Sequence, residues 1–328
     1  MRDNIYISID TGKHSTKFIT KIDGVLVKDI FRTKVQEIDN LGIELTKNSY
    51  IIEFSGKSYL IGDMLGEDKC DYNVSKTSIY HQLCVYLSVC KILNETNAMS
   101  FGVPNVYLAL NVPLNVYKNK ILKEEYRQLI QREGKVIPIK VNGRSFVFKI
   151  NLVLPLPEAT ASVYSNISNF RDKKATIIDC GSLNTSYCTF NSLVPLLESM
   201  VIANSGINVL RSKIAERLTT FCGTLISNDD TEEILKDGYL YVDGTMVKES
   251  KKIVEDLIKE HVYEIFNYAK SRSVSFNNTT LIFTGGGSIL LQKYILEIYP
   301  NAIFEKDPQF ANALSYLTVL KIKCNAKI

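Results

Sequence analysis

The chain has no tryptophan, only three histidines and no Cys-x-x-Cys pair. His14, His81 and His261 lie far apart and show no His-Glu-x-x-His spacing, which argues against a metal site built from them. The seven cysteines are odd in number, and several sit in apolar stretches. That pattern excludes a disulfide framework and fits small core residues in a reducing compartment. No apolar window reaches the roughly 18 residues that a membrane-spanning helix needs. The opening MRDNIYISID lacks the apolar core of a signal peptide, so a cytoplasmic protein without a membrane partner is expected. Long runs of like charge are also missing. With 39 basic and 35 acidic residues mixed along the chain, the net charge of +4 gives no clustered basic face, and direct nucleic-acid binding is not expected.

What is present is a globular composition, 45% apolar over 328 residues, enough for two domains of ordinary size. IYISID at 5–10 reads as a buried strand, and the alternation through KFITKIDG extends it to a three-stranded meander over 5–31. Further strands are expected at 49–54, 58–61, 106–110, 136–141 and 146–154, the last two turning at Asn142-Gly143. Helices are expected at 81–94 and 118–132. Beyond Pro155 and Pro157, a helix is expected from Glu158 to about Asn169. A strand–turn–strand unit follows at 175–190. Then come helices at 206–221, 231–236 and 247–271, a strand at 281–284, a helix after Gly287 and a last helix at 309–321.

The evidence for two lobes is an internal repeat. DTGKHSTKFIT at 10–20 and DCGSLNTSYCT at 179–189 share the pattern D-x-G-x-x-x-T-x-(Phe/Tyr)-x-T, each after an apolar strand. A lone Asp-x-Gly is ordinary hairpin punctuation. Two copies at matched places suggest something more. Gly12 and Gly181 let backbone N–H groups approach an anion, and hydroxyls such as Ser15 and Ser182 add donors. Asp10 and Asp179 would repel a phosphate directly and make sense with a hydrated Mg²⁺ between, while Lys17 offers a point charge. No GxxxxGK(S/T) loop occurs, and a strand follows each turn. LIFTGGGSILL at 281–291 is strand, three glycines and helix. It suits the close approach of a flat ligand and a phosphate; its alternative is a tight strand-to-helix turn.

In this order DTGKHSTK, PLPEATAS, IIDCGSLNT and FTGGGS resemble the first phosphate loop, interdomain connector, second phosphate loop and adenosine loop of the actin and sugar-kinase superfamily. LNVPLNVYK, PLPEATASVY and DPQFANALSYL look most like the ParM-type bacterial plasmid-segregation actins. The resemblance implies an α/β fold of two lobes with duplicated RNase H-like architecture around a nucleotide cleft. It places the first lobe at 1–155 with a terminal helix at about 309–328, and the second lobe at 156–308. It also implies that Asp10 and Asp179 hold magnesium through water, and that Thr11, Gly12, Ser15, Lys17, Gly181 and Ser182 contact phosphates. Asn208 and Arg211 lie where ribose and base are held, and Gly285, Gly286 and Gly287 cover the adenosine. Glu158 matches the connector carboxylate that acts on the attacking water. Its alternative reading is an acid at a helix N-terminus.

The function implied is an ATPase, with GTP the other candidate, that polymerises with ATP and disassembles on hydrolysis. The partners implied are further copies of itself and a DNA-bound adaptor of ParR type. A sugar-type kinase is the alternative. The chain shows neither an Asn-Asp-x-Asn motif nor the cysteine-rich zinc loop of many short sugar kinases. A chaperone would need a substrate domain after the ATPase, and a membrane-bound filament would need an amphipathic anchor that MRDN does not offer.

Overall fold

The apolar run at the start of the chain becomes β1 (Asn4–Thr11), buried on both faces as a central parallel strand should be. In this computed structural model, residues 4–326 are described apart from 40, 41, 43, 72–75 and 97. The chain divides into two compact units, Met1–Asn166 with Phe310–Ile328, and Ile167–Gln309.

In the first unit β1 is followed by β2 (Ser15–Ile22), β3 (Val25–Arg32), β4 (Val35–Ile38), β5 (Ser49–Phe54) and β6 (Lys57–Gly62). Then come α1 (Ile79–Asn94), β7 (Asn105–Val112), α2 (Leu114–Lys118), α3 (Lys120–Gln131), β8 (Val136–Val141) and β9 (Arg144–Pro157). The strands form one sheet in the order β3-β2-β1-β7-β9-β8-β5-β6-β4. The meander is there, and Asp23-Gly24 and Asn142-Gly143 turn their hairpins with positive φ at both residues. Ile5, Ile7 and Ile9 pack with Leu83 and Leu87 of α1 in the main core. α1 is buried nearly all round rather than on one stripe, because sheet and helix α3 both cover it. The expected single helix over 118–132 is broken at Asn119, whose Oδ1 accepts the N–H groups of Ile121 and Leu122 and caps α3 anew.

The second unit holds α4 (Ile167–Phe170), β10 (Lys174–Cys180), β11 (Thr185–Asn191), β12 (Val194–Pro195) and β13 (Val201–Ala203). α5 (Ile207–Cys222), α6 (Asn228–Asp237), β14 (Leu240–Val242), β15 (Thr245–Val247) and α7 (Ser250–Ser271) follow. β16 (Thr280–Thr284), α8 (Gly286–Ile298) and β17 (Ile303–Phe304) close it. Its main sheet runs β12-β11-β10-β16-β17, with β13 on β11. The core lies between that sheet and the helices, with Tyr187, Leu210, Val262 and Phe283 buried.

The helix expected from Glu158 is absent. Residues 158–166 run as turns, with Ala159 and Ala161 at φ 55° and 48°, a conformation that no α-helix contains. The last helix, α9 (Ala311–Lys323), holds this segment. Asn312 Oδ1 accepts the N–H groups of Thr160 and Ala161 at 3.1 and 2.8 Å, and Ser315 Oγ accepts that of Tyr164 at 3.2 Å. Those bonds replace the helical ones and keep the stretch to Asn166 in the first unit.

Candidate functional site

The two copies of the sequence repeat are built alike. β1 and β2 pair antiparallel with Asp10 opposite Lys17 and Thr11 opposite Thr16. β10 and β11 do the same with Asp179 opposite Ser186 and Cys180 opposite Thr185. The N–H of Gly12 donates to the carbonyl of Ser15 at 3.1 Å, and that of Gly181 to Asn184 at 2.9 Å. A Cβ on either glycine would stand 2.9 Å from that same carbonyl oxygen. Both glycines are therefore required by one steric contact, not by backbone handedness. In each copy the aspartate strand also runs parallel to a neighbour, β7 or β16. Both aspartates thus stand at the carboxyl ends of parallel strands, the edge where open α/β sheets bind ligands. The copies differ in charge, because Ser186 stands where the first turn has Lys17.

In the first unit, burial pushes the Asp10 carboxyl up from the usual carboxylate range. Lys17 and Lys76 oppose the shift, Glu158 reinforces it, and an Asn312 hydrogen bond lowers it. The Lys17 ammonium lies over the turn, 3.3 Å from where a Gly12 Cβ would be. Burial, with repulsion from Lys76, brings the Lys13 ammonium down to about 8. Ser15 Oγ bonds to His14 Nδ1 at 2.7 Å, while Thr11 Oγ1 is buried with no protein partner. Glu158 belongs to the same cluster, its N–H bonded to the Val112 carbonyl at 3.1 Å and its carboxylate paired with Lys76 at 3.0 Å. It is not a helix N-terminal acid, because no helix starts there. The unit thus gathers Asp10, Thr11, Gly12, Ser15, Lys17 and Glu158.

In the second unit the start of α5 grips the second turn. The N–H groups of Ile207 and Asn208 donate to the carbonyls of Gly181 and Ser182 at 3.0 and 2.8 Å. Gly206 makes this possible, since its Cβ would stand 2.3 Å from the Ser182 oxygen. Asn208 is therefore a backbone support of the turn, and Arg211, one turn further on, pairs with Glu232 at 3.4 Å. The three glycines divide their work. A Cβ on Gly285 would lie 2.3 Å from Asp179 Oδ1, and one on Gly287 would lie 2.8 Å from the Cys180 oxygen. Both press on the second turn, which is the tight strand-to-helix turn weighed for this motif. Only Gly286 is open, with Gln309 Nε2 3.6 Å from its Cβ position. Asp179, Gly181, Ser182, Asn208, Gly285 and Gly287 thus form one cluster.

Sequence reasoning missed Asn111 and Lys76. Asn111 stands at the carboxyl end of β7, and its Oδ1 accepts the Thr11 N–H at 2.9 Å. Its position beside the strand of Asp10 was the available signal. Lys76 lies in a polar stretch with no periodicity and gave none. The residues fit a magnesium nucleotide. Each unit offers a carboxylate at a strand end beside a glycine turn, and Thr11 Oγ1 is a buried hydroxyl awaiting a partner.

Residues 8–160 match the family model described as the actin like proteins N terminal domain. No curated protein matches the chain in sequence. Among solved structures, the chain is similar to the Alp12 filament, at 27% identity and TM-score 0.71, covering 98% of this chain and 99% of that one. A 15-stranded ParM filament from Clostridium botulinum is 18% identical, with TM-score 0.77, covering 98% and 99%. An archaeal actin homologue in complex with ADP, Ta0583, is 19% identical, with TM-score 0.72, covering 97% and 99%.

Proposed function

We propose that this chain, similar to actin-like proteins in sequence over residues 8–160 and in fold over nearly its whole length, is a magnesium-dependent ATPase that assembles into filaments and moves plasmid DNA through an adaptor. The observation that carries the reading is the turn built twice, with the same register, the same hydrogen bond and the same glycine contact. A phosphate chain is the ligand that uses two such turns, each with a glycine and a carboxylate. That relatives of this fold are solved as filaments, and one with ADP, supports the assignment.

In this reading Asp10 and Asp179 are the carboxylates that would hold the waters of magnesium, whose chemistry when bound would be to neutralise phosphate charge. Lys17 and the backbone of the two turns hold the phosphates, and Lys17 gives the first turn the cation that the second lacks. Gly286, the one open glycine of its motif, meets the nucleoside. Glu158 is the carboxylate that would accept a hydrogen bond from the attacking water. Copies associate head to tail, a heterologous contact that leaves the polymer open-ended. The partner on DNA is an adaptor of ParR type, consistent with a sequence whose basic and acidic residues are mixed.

Pelleting the purified chain with magnesium and ATP, with ATP and a chelator, and with sugar added tests the reading. Material that sediments only with magnesium and ATP supports it. Soluble protein whose ATP turnover rises with added sugar makes it a kinase.

A further inference from the structure

Two side chains outside the repeat converge on Glu158. Lys76 Nζ lies 3.0 Å from Glu158 Oε1 and 3.5 Å from the Asn111 carbonyl oxygen. Asn111 Nδ2 lies 3.5 Å from the same Oε1, and Asn111 Oδ1 accepts the N–H of Thr11. One carboxylate oxygen is thus held from two directions, and one of the two holders is fixed to the first turn. The Lys76 side chain is 2% exposed and that of Glu158 15%.

Such a pair needs a reason. A buried ammonium must be paired, yet a buried pair gives little stability over apolar residues of the same volume. Lys76 also sits at φ 57°, a region that costs a non-glycine residue energy and persists where the surroundings demand it. Lys13, Asp10 and Tyr126 also act electrostatically on this cluster, and Lys76 is the cation in contact with the carboxylate at Oε1.

We propose that Lys76 is a positioning residue for hydrolysis, fixing the orientation of Glu158, and that Asn111 ties that orientation to the first phosphate turn. The inference rests on the ATPase reading. Without the Lys76 ammonium the carboxylate loses one of its two holders at Oε1. With the carboxylate no longer oriented, turnover falls while nucleotide binding, made by other groups, persists.

The test is steady-state ATPase activity of the full chain, with nucleotide affinity measured separately, for wild type, Glu158→Gln, Lys76→Met and Lys76→Arg. Lys76→Met should lower kcat by about 10- to 100-fold and leave affinity within about threefold. Lys76→Arg should restore most of the rate. If Lys76→Met does not fold, Lys76→Gln must show the same loss of kcat at unchanged affinity. An active wild type and a slow Glu158→Gln beside a Lys76→Met with unchanged kcat overturns the inference alone. So does a loss of rate matched by loss of affinity, or one that Lys76→Arg does not restore, which marks a structural role. A wild type without ATPase activity, or a Glu158→Gln of normal rate, overturns the reading of Glu158 and the inference with it.

Discussion

Alanine at each of the three consecutive glycines should give three different outcomes, because their surroundings differ. Gly285 has φ 81° and ψ 158°, a region open essentially to glycine alone, which costs another residue about 1–3 kcal/mol. Its added Cβ would stand 2.3 Å from Asp179 Oδ1 and 2.6 Å from the Cys180 oxygen. The Cys180 carbonyl is backbone and cannot swing aside, so overpacking adds about 1–3 kcal/mol. Gly285→Ala should therefore lose about 2–6 kcal/mol and lower the thermal midpoint by on the order of 10 °C. Gly287→Ala meets Ile207 Cγ1 at 2.7 Å and the Cys180 oxygen at 2.8 Å, for an overpacking cost of about 1–3 kcal/mol. Gly286→Ala meets nothing nearer than 3.6 Å and begins α8, where alanine is the better helix former by up to about 1 kcal/mol. It should melt at or slightly above wild type, yet bind nucleotide more weakly if its backbone meets the nucleoside. Melting by circular dichroism and titration with a fluorescent nucleotide read the two properties apart. A Gly286→Ala protein as unstable as Gly285→Ala, or a Gly287→Ala protein of wild-type stability, refutes the packing argument.

Asp179→Ala should keep the fold and weaken magnesium-dependent nucleotide binding at least tenfold by calorimetry; wild-type affinity would remove it from the magnesium site. Glu158→Ala should bind ATP nearly as wild type but release phosphate about 10²–10⁴-fold more slowly, and its filaments should outlive those of wild type in light scattering. His261 is fully buried in the second unit, and burial lowers its ionisation to about 4 from 6.5. The unfolded chain takes up that proton first, so the neutral ring's contribution is complete above pH 6.5 and is lost as pH falls toward about 4. That amounts to about 3 kcal/mol, and denaturant melts of His261→Leu should show a flatter pH dependence than wild type over that window.

The Asp-x-Gly turns were legible because a glycine, an aspartate and an apolar strand recur at fixed offsets, and the register at Asp10 and Asp179 follows from them. The connector was not legible. PLPEATAS has helix-forming residues, but the bonds that decide its shape come from Asn312 and Ser315, far along the chain. The hairpin β14–β15 was also missed, although Asp243-Gly244 carries the same signal as Asn142-Gly143. There the short strands were hidden against the helical stripe that follows. Gly285 and Gly287 also pack on the second turn, a contact between segments that no local pattern encodes. Lys76 and Asn111 escaped for the same reason, since their meaning lies in the carboxylate they share.

Following light scattering and phosphate release together in one sample, after mixing the chain with magnesium and ATP, tests the central claim most directly. The account predicts that scattering rises first, that phosphate follows, and that scattering decays once ATP is spent, with neither signal when magnesium is chelated. Phosphate release with no scattering at any protein concentration, or scattering that forms and decays without nucleotide, would contradict it.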